Sequence, residues 1–210
     1  MSEPVVFYTN PMSRGQIARW ALEETGAAYE TVIVEYGAEM KAPAYLAINP
    51  MGKVPAIRHE GRVVTEAAAI CAYLAEAFAE AGLAPTVEER ADYWRWLFFA
   101  AGPLEYAIAF KFMGPEMQEE HTARIGFGTY DDAVGAVDAL LERSDYVCGS
   151  RFTMADVYVG SHIEWGLQFE TLPKRPAFEA YAARIGAREA RVRAKETDRA
   201  LIAEREAAKS

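Results

Sequence analysis

A serine lies at a predicted junction between a strand and a helix near the start of the chain. Residues 4–9 are mostly apolar and predict a strand, residues 14–25 predict an amphipathic helix that ends at Gly26, and Ser13 precedes that helix. The first N–H groups of a helix lack partners within it, and the helix dipole places partial positive charge there. An anion at this turn would be stabilised, and the serine could add a hydrogen bond. The turn is therefore a candidate reactive site, although many such turns bind nothing.

A proline follows Lys53 and Val54 at the start of another predicted strand. Proline has no N–H group to donate within a sheet, so this position suits the beginning of a strand. The local sequence favours a trans bond, since only about 5–6% of such bonds in folded proteins are cis. A cis bond would free the N–H and C=O groups of Val54 to pair with an extended peptide ligand.

Thr65, Glu66 and Ala67 precede an apolar segment that predicts a helix to about Ala81. The simplest interpretation is a helix cap, with Thr65 as the N-cap and Glu66 in the first turn. The alternative is that the backbone N–H groups bind a ligand carboxylate while Glu66 binds an ammonium group. Considered alone, the segment favours the cap.

Thr153 and Asp156 have the spacing of a variant capping box, with a hydroxyl followed three positions later by an acidic residue. This pattern predicts the start of a buried helix. Its expected role is structural.

The elements around these residues predict an α/β domain over residues 1–81. Residues 29–34 alternate and are β-branched, so with the first strand and helix they predict a βαβ unit with parallel strands. A hairpin follows, with its turn at Glu60 and Gly61, and then a helix. The order βαβ followed by ββα predicts a mixed four-stranded sheet with helices packed on it.

Beyond Gly82 the chain is predicted to be an all-helical domain over residues 87–210. The predicted helices cover residues 88–113, 115–141, 153–169 and 176–185, and a charged helix follows to the end. The chain is thus expected to fold as an α/β domain followed by a helical domain.

The charge balance excludes some classes of partner. The chain carries 22 basic and 31 acidic residues and a net charge of −9, which argues against nucleic-acid binding. A small anion could still bind where basic side chains gather, and Arg14, Arg19, Lys53 and Arg58 all lie in the first third of the chain.

Other composition signals point to an ordinary cytoplasmic protein. The first residues lack the pattern of a signal peptide, and no apolar stretch has the length of a membrane span, so no membrane association is expected. Cys71 and Cys148 form no CxxC motif and are expected to be reduced thiols. His59, His121 and His162 lack metal-ligand spacing, so no metal is expected.

Four segments of the chain resemble the cytosolic glutathione S-transferase family over nearly its whole length. They are Tyr8–Arg14, Lys53–Ile57, Glu66–Leu74 and Phe152–Asp156. Each segment is moderately specific, whereas their order and their division between an α/β half and a helical half is a much stronger match. The resemblance, to bacterial-type members with a serine at the reactive site, implies a thioredoxin-like first domain, a helical second domain, a homodimer and glutathione as co-substrate.

The resemblance also implies which residues bind glutathione. The implied contacts are Arg14, Lys53, Val54, Pro55, Glu66 and Ala67. Val54, before a cis Pro55, would pair through its backbone with the cysteinyl part, and Lys53 would meet the glycyl carboxylate. Glu66 and the N–H of Ala67 would hold the γ-glutamyl end. The family most often has serine or threonine where this chain has Ala67, so a hydroxyl contact is lost.

Three residues are candidates to contact the glutathione sulfur, namely Ser13, Tyr8 and Asn10. Lowering a thiol pKa of about 8.5 by about two units needs roughly 2.7 kcal/mol. A helix N-terminus supplies about 0.3–1 kcal/mol, and a hydrogen bond to a charged acceptor about 1.5–3 kcal/mol. Both together suffice, so Ser13 is expected to donate to a thiolate rather than act as a nucleophile. A cysteine there would instead have indicated mixed-disulfide chemistry.

The electrophile is expected to bind between the domains. Met12, Tyr106, Phe110 and Met113 are the candidate lining residues, although aromatic residues at helical spacing more often form core. The resemblance implies a glutathione transferase that attacks a small hydrophobic electrophile. A glutathione-dependent isomerase or dehalogenase, or a glutathione-binding protein without catalysis, remains an alternative because fold does not determine reaction.

Overall fold

A computed structural model describes residues 3–114 and 119–208 of the chain. It divides into two compact units. The first joins the segment that ends at Leu83 to the segment that begins at Ala187, and the second is Ala84–Gly186.

The first unit contains a four-stranded mixed sheet, as the sequence predicts. Its strands are β1 (Val5–Thr9), β2 (Tyr29–Ile33), β3 (Ala56–His59) and β4 (Arg62–Thr65). They lie in the order β2-β1-β3-β4. β1 pairs in parallel with β2 and antiparallel with β3, and β3 pairs antiparallel with β4. The parallel pair confirms the βαβ unit.

The hairpin between β3 and β4 has the turn chemistry predicted for it. Glu60 and Gly61 both have positive φ, 49° and 74°. A two-residue type I′ turn requires positive φ at both central positions, which Gly adopts without steric cost. The turn lies at the end of the sheet away from Ala56 and Thr65, which are paired at the opposite end of the hairpin.

Among the described residues, four α-helices belong to the first unit. They are α1 (Gly15–Thr25), α2 (Pro43–Leu46), α3 (Ala67–Ala77) and α10 (Glu189–Ala207). α1 buries Ile17, Trp20 and Leu22 completely, and it ends at Gly26, whose φ of 65° is the left-handed geometry of a C-cap. A short 3₁₀ turn, Glu39–Lys41, precedes α2.

Charged side chains of α10, and of Arg188 just before it, form ion pairs with α1. Arg19 and Asp198 are both buried and are joined by a 2.7 Å bond from Nε to Oδ1. Arg188 donates two bonds of 2.7 Å to the carboxylate of Glu24. The sequence pattern groups residues 187–210 with the helical domain. The structure instead places α10 in the first unit, because these ion pairs link segments more than 160 positions apart.

The second unit is helical. Its helices are α4 (Arg90–Phe99), α5 (Glu105–Met113), α6 (Glu119–Thr122), α7 (Tyr130–Leu141), α8 (Met154–Gln168) and α9 (Pro176–Gly186). α4 and α5 are joined by a π-helical segment, Ala100–Leu104, which contains Pro103. The predicted helix over residues 88–113 is therefore interrupted where proline removes a backbone donor.

The predicted helix over residues 115–141 is wrong as a single element. Residues 115–118 lie outside the described residues, α6 ends at Thr122, and α7 begins only at Tyr130. Gly128 has a φ of 63°, which a continuous helix cannot contain. Thr129 and Asp132 then form a capping box that begins α7.

The capping box at Thr153 and Asp156 is confirmed, and both residues are fully buried. The Asp156 carboxylate accepts bonds from the N–H of Val147 at 2.7 Å, the N–H of Thr153 at 2.8 Å and the hydroxyl of Tyr181 at 2.9 Å. Burial raises the pKa of Asp156 to about 6, while these donors oppose the rise. One carboxylate thus joins α8, α9 and the loop before α8.

Among the helices of the described residues, none combines the length and apolar character that crossing a membrane would require.

Candidate active site

The hydroxyl of Ser13 lies at the beginning of α1, as predicted. Its Oγ accepts a bond from the N–H of Gly15 at 2.9 Å and donates to the carbonyl of Asn10 at 2.6 Å. The side chain is half-buried. The N-cap of α1 is Arg14, and Ser13 accepts the N–H of Gly15, the first residue of the helix. The hydroxyl of Ser13 donates to a neutral carbonyl, which a charged acceptor could replace.

Asn10 holds the turn rather than facing outward. It is 2% exposed, its Nδ2 donates to the carbonyl of Val34 at 3.2 Å, and its Oδ1 accepts from the N–H of Met12 at 3.1 Å. Both polar ends of the side chain are thus engaged by backbone. The Ser13 hydroxyl is bonded to backbone as well, but Ser13 is half-buried whereas Asn10 is buried, so Asn10 is the less accessible of the two to a ligand.

Tyr8 is 8% exposed and packs in a core cluster with Val34, Met40, Tyr45 and Ala56. Its ring centroid lies 6.0 Å from that of Tyr45. In the described part of the chain, no partner accepts or donates a hydrogen bond at its hydroxyl. The ring is therefore chiefly core, and the hydroxyl stays a candidate.

Gly15 is a requirement of this turn that the sequence pattern does not reveal. A Cβ atom at this position would lie 1.8 Å from the Oγ1 of Thr9 and 3.0 Å from the Oγ of Ser13. No side chain fits in that space. Glycine is needed here for close approach of α1 to the end of β1, and the only signal in the sequence is its place two residues after Ser13.

The bond between Val54 and Pro55 is cis. This agrees with the resemblance and differs from the expectation based on local sequence alone. Within the described residues, the N–H and C=O groups of Val54 have no hydrogen-bond partner. An extended peptide could therefore pair with this backbone as an added strand would.

The loop before Val54 is braced by side chains that no sequence pattern indicated. The carbonyl of Lys53 accepts bonds of 2.7 Å from the hydroxyl of Tyr45 and from Nδ2 of Asn49. Burial raises the pKa of Tyr45 to about 12, so the hydroxyl remains a donor at neutral pH. Lys41 donates to the carbonyls of Met51 and Gly52 at 2.8 and 3.2 Å.

The start of α3 differs by one residue from the predicted cap. Thr65 is the last residue of β4, and the N-cap is Glu66, with φ of 65° and ψ of 121°. A non-glycine residue in this region is strained, and such strain is concentrated at functional sites. Because the first N–H groups of a helix have no partner within it, those that come after Glu66 are available to an anion.

The sheet register brings these three segments to one end of the sheet. Tyr8 is paired with Ala56, and Ala56 with Thr65. The turn after β1, the loop before β3 and the helix start after β4 therefore lie on three adjacent strand ends. The exposed side chains of Lys53 and Glu66 have no ion-pair partner in the described ranges, so each is able to meet a ligand charge.

The candidate electrophile residues lie in both units. In the first, Met12 is 71% exposed. In the second, Tyr106 and Phe110 line a pocket of about 400 Å³ together with Pro103, Ile125 and Phe127. Met113 is 71% exposed and does not line that pocket.

The described residues offer neither a metal-binding cluster nor a reactive thiol of their own. This part of the chain contains no cluster of three His, Cys, Asp or Glu side chains suited to a metal ion. Burial raises the pKa of the Cys71 thiol far above its usual range, and that of Cys148 to about 12, so neither is a ready thiolate.

Comparison with known proteins connects this geometry to a family. Residues 3–76 match the glutathione S-transferase N-terminal domain, and residues 102–189 match the C-terminal domain. Glutathione S-transferase GstA of Escherichia coli O157:H7 is 31% identical over 58% of this chain and 61% of its own length, which is less than two thirds of that relative. Maleylacetoacetate isomerase of Pseudomonas aeruginosa is 29% identical over 67% of this chain and 71% of its own.

A solved structure is similar over almost the whole chain. It is the theta class glutathione S-transferase of Xanthomonas axonopodis pv. citri with glutathione bound, which is 30% identical, covers 92% of this chain and 97% of its own, and superposes with a TM-score of 0.72. With both domains of the family matched in order, this chain belongs to the glutathione S-transferase family.

Proposed function

We propose that this chain is a glutathione transferase with a serine-type reactive site, which binds glutathione along one end of its sheet and activates the thiol for attack on a small hydrophobic electrophile. The observation that carries the proposal is the convergence of three backbone sites on adjacent strand ends: the Ser13 turn, the Val54 backbone and the start of α3.

The spacing of these sites suits a tripeptide. Neighbouring strands are about 4.8 Å apart, so three adjacent strand ends span roughly 10 Å. An extended chain of three residues covers about the same length. Glutathione laid across β1, β3 and β4 would therefore place its cysteinyl residue beside Val54, with its ends near the flanking segments.

The charges complement those of glutathione. The γ-glutamyl end carries a carboxylate and an ammonium group, which match the free N–H groups at the start of α3 and the carboxylate of Glu66. The exposed ammonium group of Lys53 is suited to the glycyl carboxylate. Arg14, exposed beside Ser13, adds positive potential at the same end.

We assign the thiolate contact to Ser13. It lies at a helix N-terminus, and its hydroxyl can exchange the Asn10 carbonyl for a charged acceptor. A bond to a thiolate is stronger than a bond to a neutral carbonyl, so a bound glutathione anion favours that exchange. The pocket at Tyr106 and Phe110 is our proposed origin of the electrophile contacts. Met12 and Met113 do not line it and stay predictions from the sequence.

A glutathione-dependent isomerase is the second candidate, and the relative named maleylacetoacetate isomerase favours it. Both activities need the same thiolate. They differ in the step after its attack: a transferase releases the conjugate, whereas an isomerase releases glutathione again.

The proposal includes a homodimer. Phe98 and Phe112, on α4 and α5, are 68% and 61% exposed, and such large apolar side chains favour burial against a second copy. Light scattering should give twice the mass of the chain. A cytoplasmic location stays a prediction from the sequence.

The function is tested by adding glutathione to the protein and recording the ultraviolet absorbance of its thiolate as pH is varied. We expect a thiolate signal well below the pH at which free glutathione titrates, together with conjugation in a panel of electrophiles. Retention on glutathione resin without a thiolate signal would favour a binding protein. Turnover of a cis-enone without net glutathione consumption would favour the isomerase.

Glu66→Gln should weaken glutathione binding by about tenfold, because one charged hydrogen bond partly screened by solvent is lost. Calorimetric titration measures the change. Glu60→Gln is the matched control, since Glu60 is an exposed glutamate in the hairpin turn at the opposite end of the sheet. Equal affinities in the two variants would remove Glu66 from the site.

A further inference from the structure

We propose that Tyr36 is a positioning residue for the reactive turn: its hydroxyl holds the peptide group between Met12 and Ser13 and thereby sets the direction from which Ser13 meets the sulfur. This inference rests on the proposed function. The hydroxyl of Tyr36 donates to the carbonyl of Met12 at 3.1 Å, across a separation of 24 residues.

The peptide group between Met12 and Ser13 is held at both of its polar atoms. Its carbonyl accepts the Tyr36 bond, and its N–H, on Ser13, donates to the carbonyl of Asn10 at 3.1 Å. Two bonds on opposite sides of a planar group fix the orientation of its plane. The Cα atom of Ser13 lies in that plane, so its position is set with it, and the bonds of the hydroxyl to Asn10 and Gly15 then orient the side chain.

The carbonyl of Met12 accepts its hydrogen bond from another segment of the chain, whereas the carbonyls of Pro11 and Ser13 accept theirs from α1. The Pro11 carbonyl accepts from Nε2 of Gln16 at 2.7 Å, and the Ser13 carbonyl from the N–H of Gln16 at 3.2 Å. Both of these bonds come from α1 itself. Tyr36 thus supplies a restraint on the turn that α1 does not supply.

The segment that carries Tyr36 is itself anchored. The N–H of Glu35 donates to the carboxylate of Glu39 at 2.8 Å, and Arg205 of α10 donates to the Glu35 carboxylate. Val34, next to Glu35, is buried and accepts the Asn10 side chain. A donor mounted on a braced segment can restrain the turn, whereas one on a free loop would move with it.

Tyr36 is 59% exposed, so its ring contributes little to the core. Removal of the Tyr36 hydroxyl therefore tests its hydrogen bond to the Met12 carbonyl without destabilising the fold. A small misplacement of a catalytic group is costly in rate, because reacting atoms must be held within a narrow range of distances and angles.

Tyr36→Phe should lower kcat for conjugation by about threefold to tenfold, the range of one neutral hydrogen bond, and should change KM for glutathione by less than about twofold. The pKa of the bound glutathione thiol should rise in the ultraviolet titration. Tyr146→Phe is the matched control, since it removes a tyrosine hydroxyl in the helical unit, and it should change none of these quantities. An unchanged kcat and thiol titration in Tyr36→Phe, or a rise in KM alone, would overturn the proposal.

Amide hydrogen exchange of the peptide covering residues 10–16 gives a readout that does not depend on activity. Exchange there should be faster in Tyr36→Phe than in the parent protein, and unchanged in Tyr146→Phe. If the parent shows neither a thiolate nor turnover, the proposed function fails, and exchange then decides the role of Tyr36 alone. Faster exchange in Tyr36→Phe than in the parent protein would support the role of the Tyr36 hydroxyl in restraining the turn. Equal exchange in the two proteins would overturn that role.

Discussion

Ser13→Ala is expected to slow conjugation by about tenfold or more while leaving glutathione binding nearly intact. The hydroxyl supplies one hydrogen bond to the charged sulfur, of about 1.5–3 kcal/mol, which corresponds to roughly tenfold to 150-fold in rate. The helix N-terminus remains but supplies only about 0.3–1 kcal/mol. The pKa of the bound thiol should rise toward that of free glutathione. Steady-state rates with a chlorinated aromatic electrophile and the ultraviolet thiolate titration measure both effects.

The hydroxyl of Ser13 also accepts a hydrogen bond from the N–H of Gly15 at the start of α1. The stability of Ser13→Ala therefore has to be measured as well as its activity. Loss of a cap typically costs about 1 kcal/mol, which leaves the protein folded at assay temperature. Ser13→Thr keeps a hydroxyl at the position and should retain most of the thiolate signal. If Ser13→Ala conjugates at the parent rate, Tyr8 becomes the leading sulfur contact, because the Asn10 side chain is engaged at both ends.

Asp156→Ala should lower the free energy of unfolding by at least about 3 kcal/mol. It leaves the N–H groups of Val147 and Thr153 and the hydroxyl of Tyr181 without their acceptor, and all three residues are buried. A buried donor without a partner costs about 1–3 kcal/mol. For a protein of this size the midpoint of thermal unfolding should fall by about 6 to 12 °C. Calorimetry and urea unfolding measure the change.

The capping box of α7 offers a matched control. Asp132 makes the same contacts with Thr129 as Asp156 makes with Thr153, but both residues are exposed. Asp132→Ala removes the same motif without leaving buried donors, so it should cost far less stability. Similar losses in the two variants would show that the motif itself, rather than its burial and its bonds to Val147 and Tyr181, determines the effect.

Features set by neighbouring residues were predictable from the sequence. The end of α1 at Gly26, the turn at Glu60 and Gly61, and the capping box at Thr153 and Asp156 are each encoded within about four positions. Their chemistry is local, since a positive φ or a capping hydroxyl acts on the adjacent backbone. The order of the strands along the chain was likewise predicted from local patterns, namely alternating apolar residues and turn residues.

Features that depend on distant partners were not predictable in this way. The break between α6 and α7 is a separate case, since Gly128 and the capping box of Thr129 and Asp132 mark it locally and the predicted helix ran through them. The placement of α10 with the first unit depends on Arg19 and Arg188 meeting acidic residues far away along the chain. Glu66 rather than Thr65 became the N-cap, because β4 continues through Thr65 in its pairing with Ala56.

The sequence by itself determined the two kinds of domain, the family, and the residue types at each candidate contact, because these depend on local pattern and on the order of motifs. Only the tertiary structure decided which of those residues share a site. Sheet pairing set Tyr8, Ala56 and Thr65 side by side, close approach to Thr9 required Gly15, and a hydrogen bond across 24 residues brought Tyr36 to the Ser13 turn. The physical reason is that a hydrogen bond or a steric limit between distant segments exists only once the chain has brought them together.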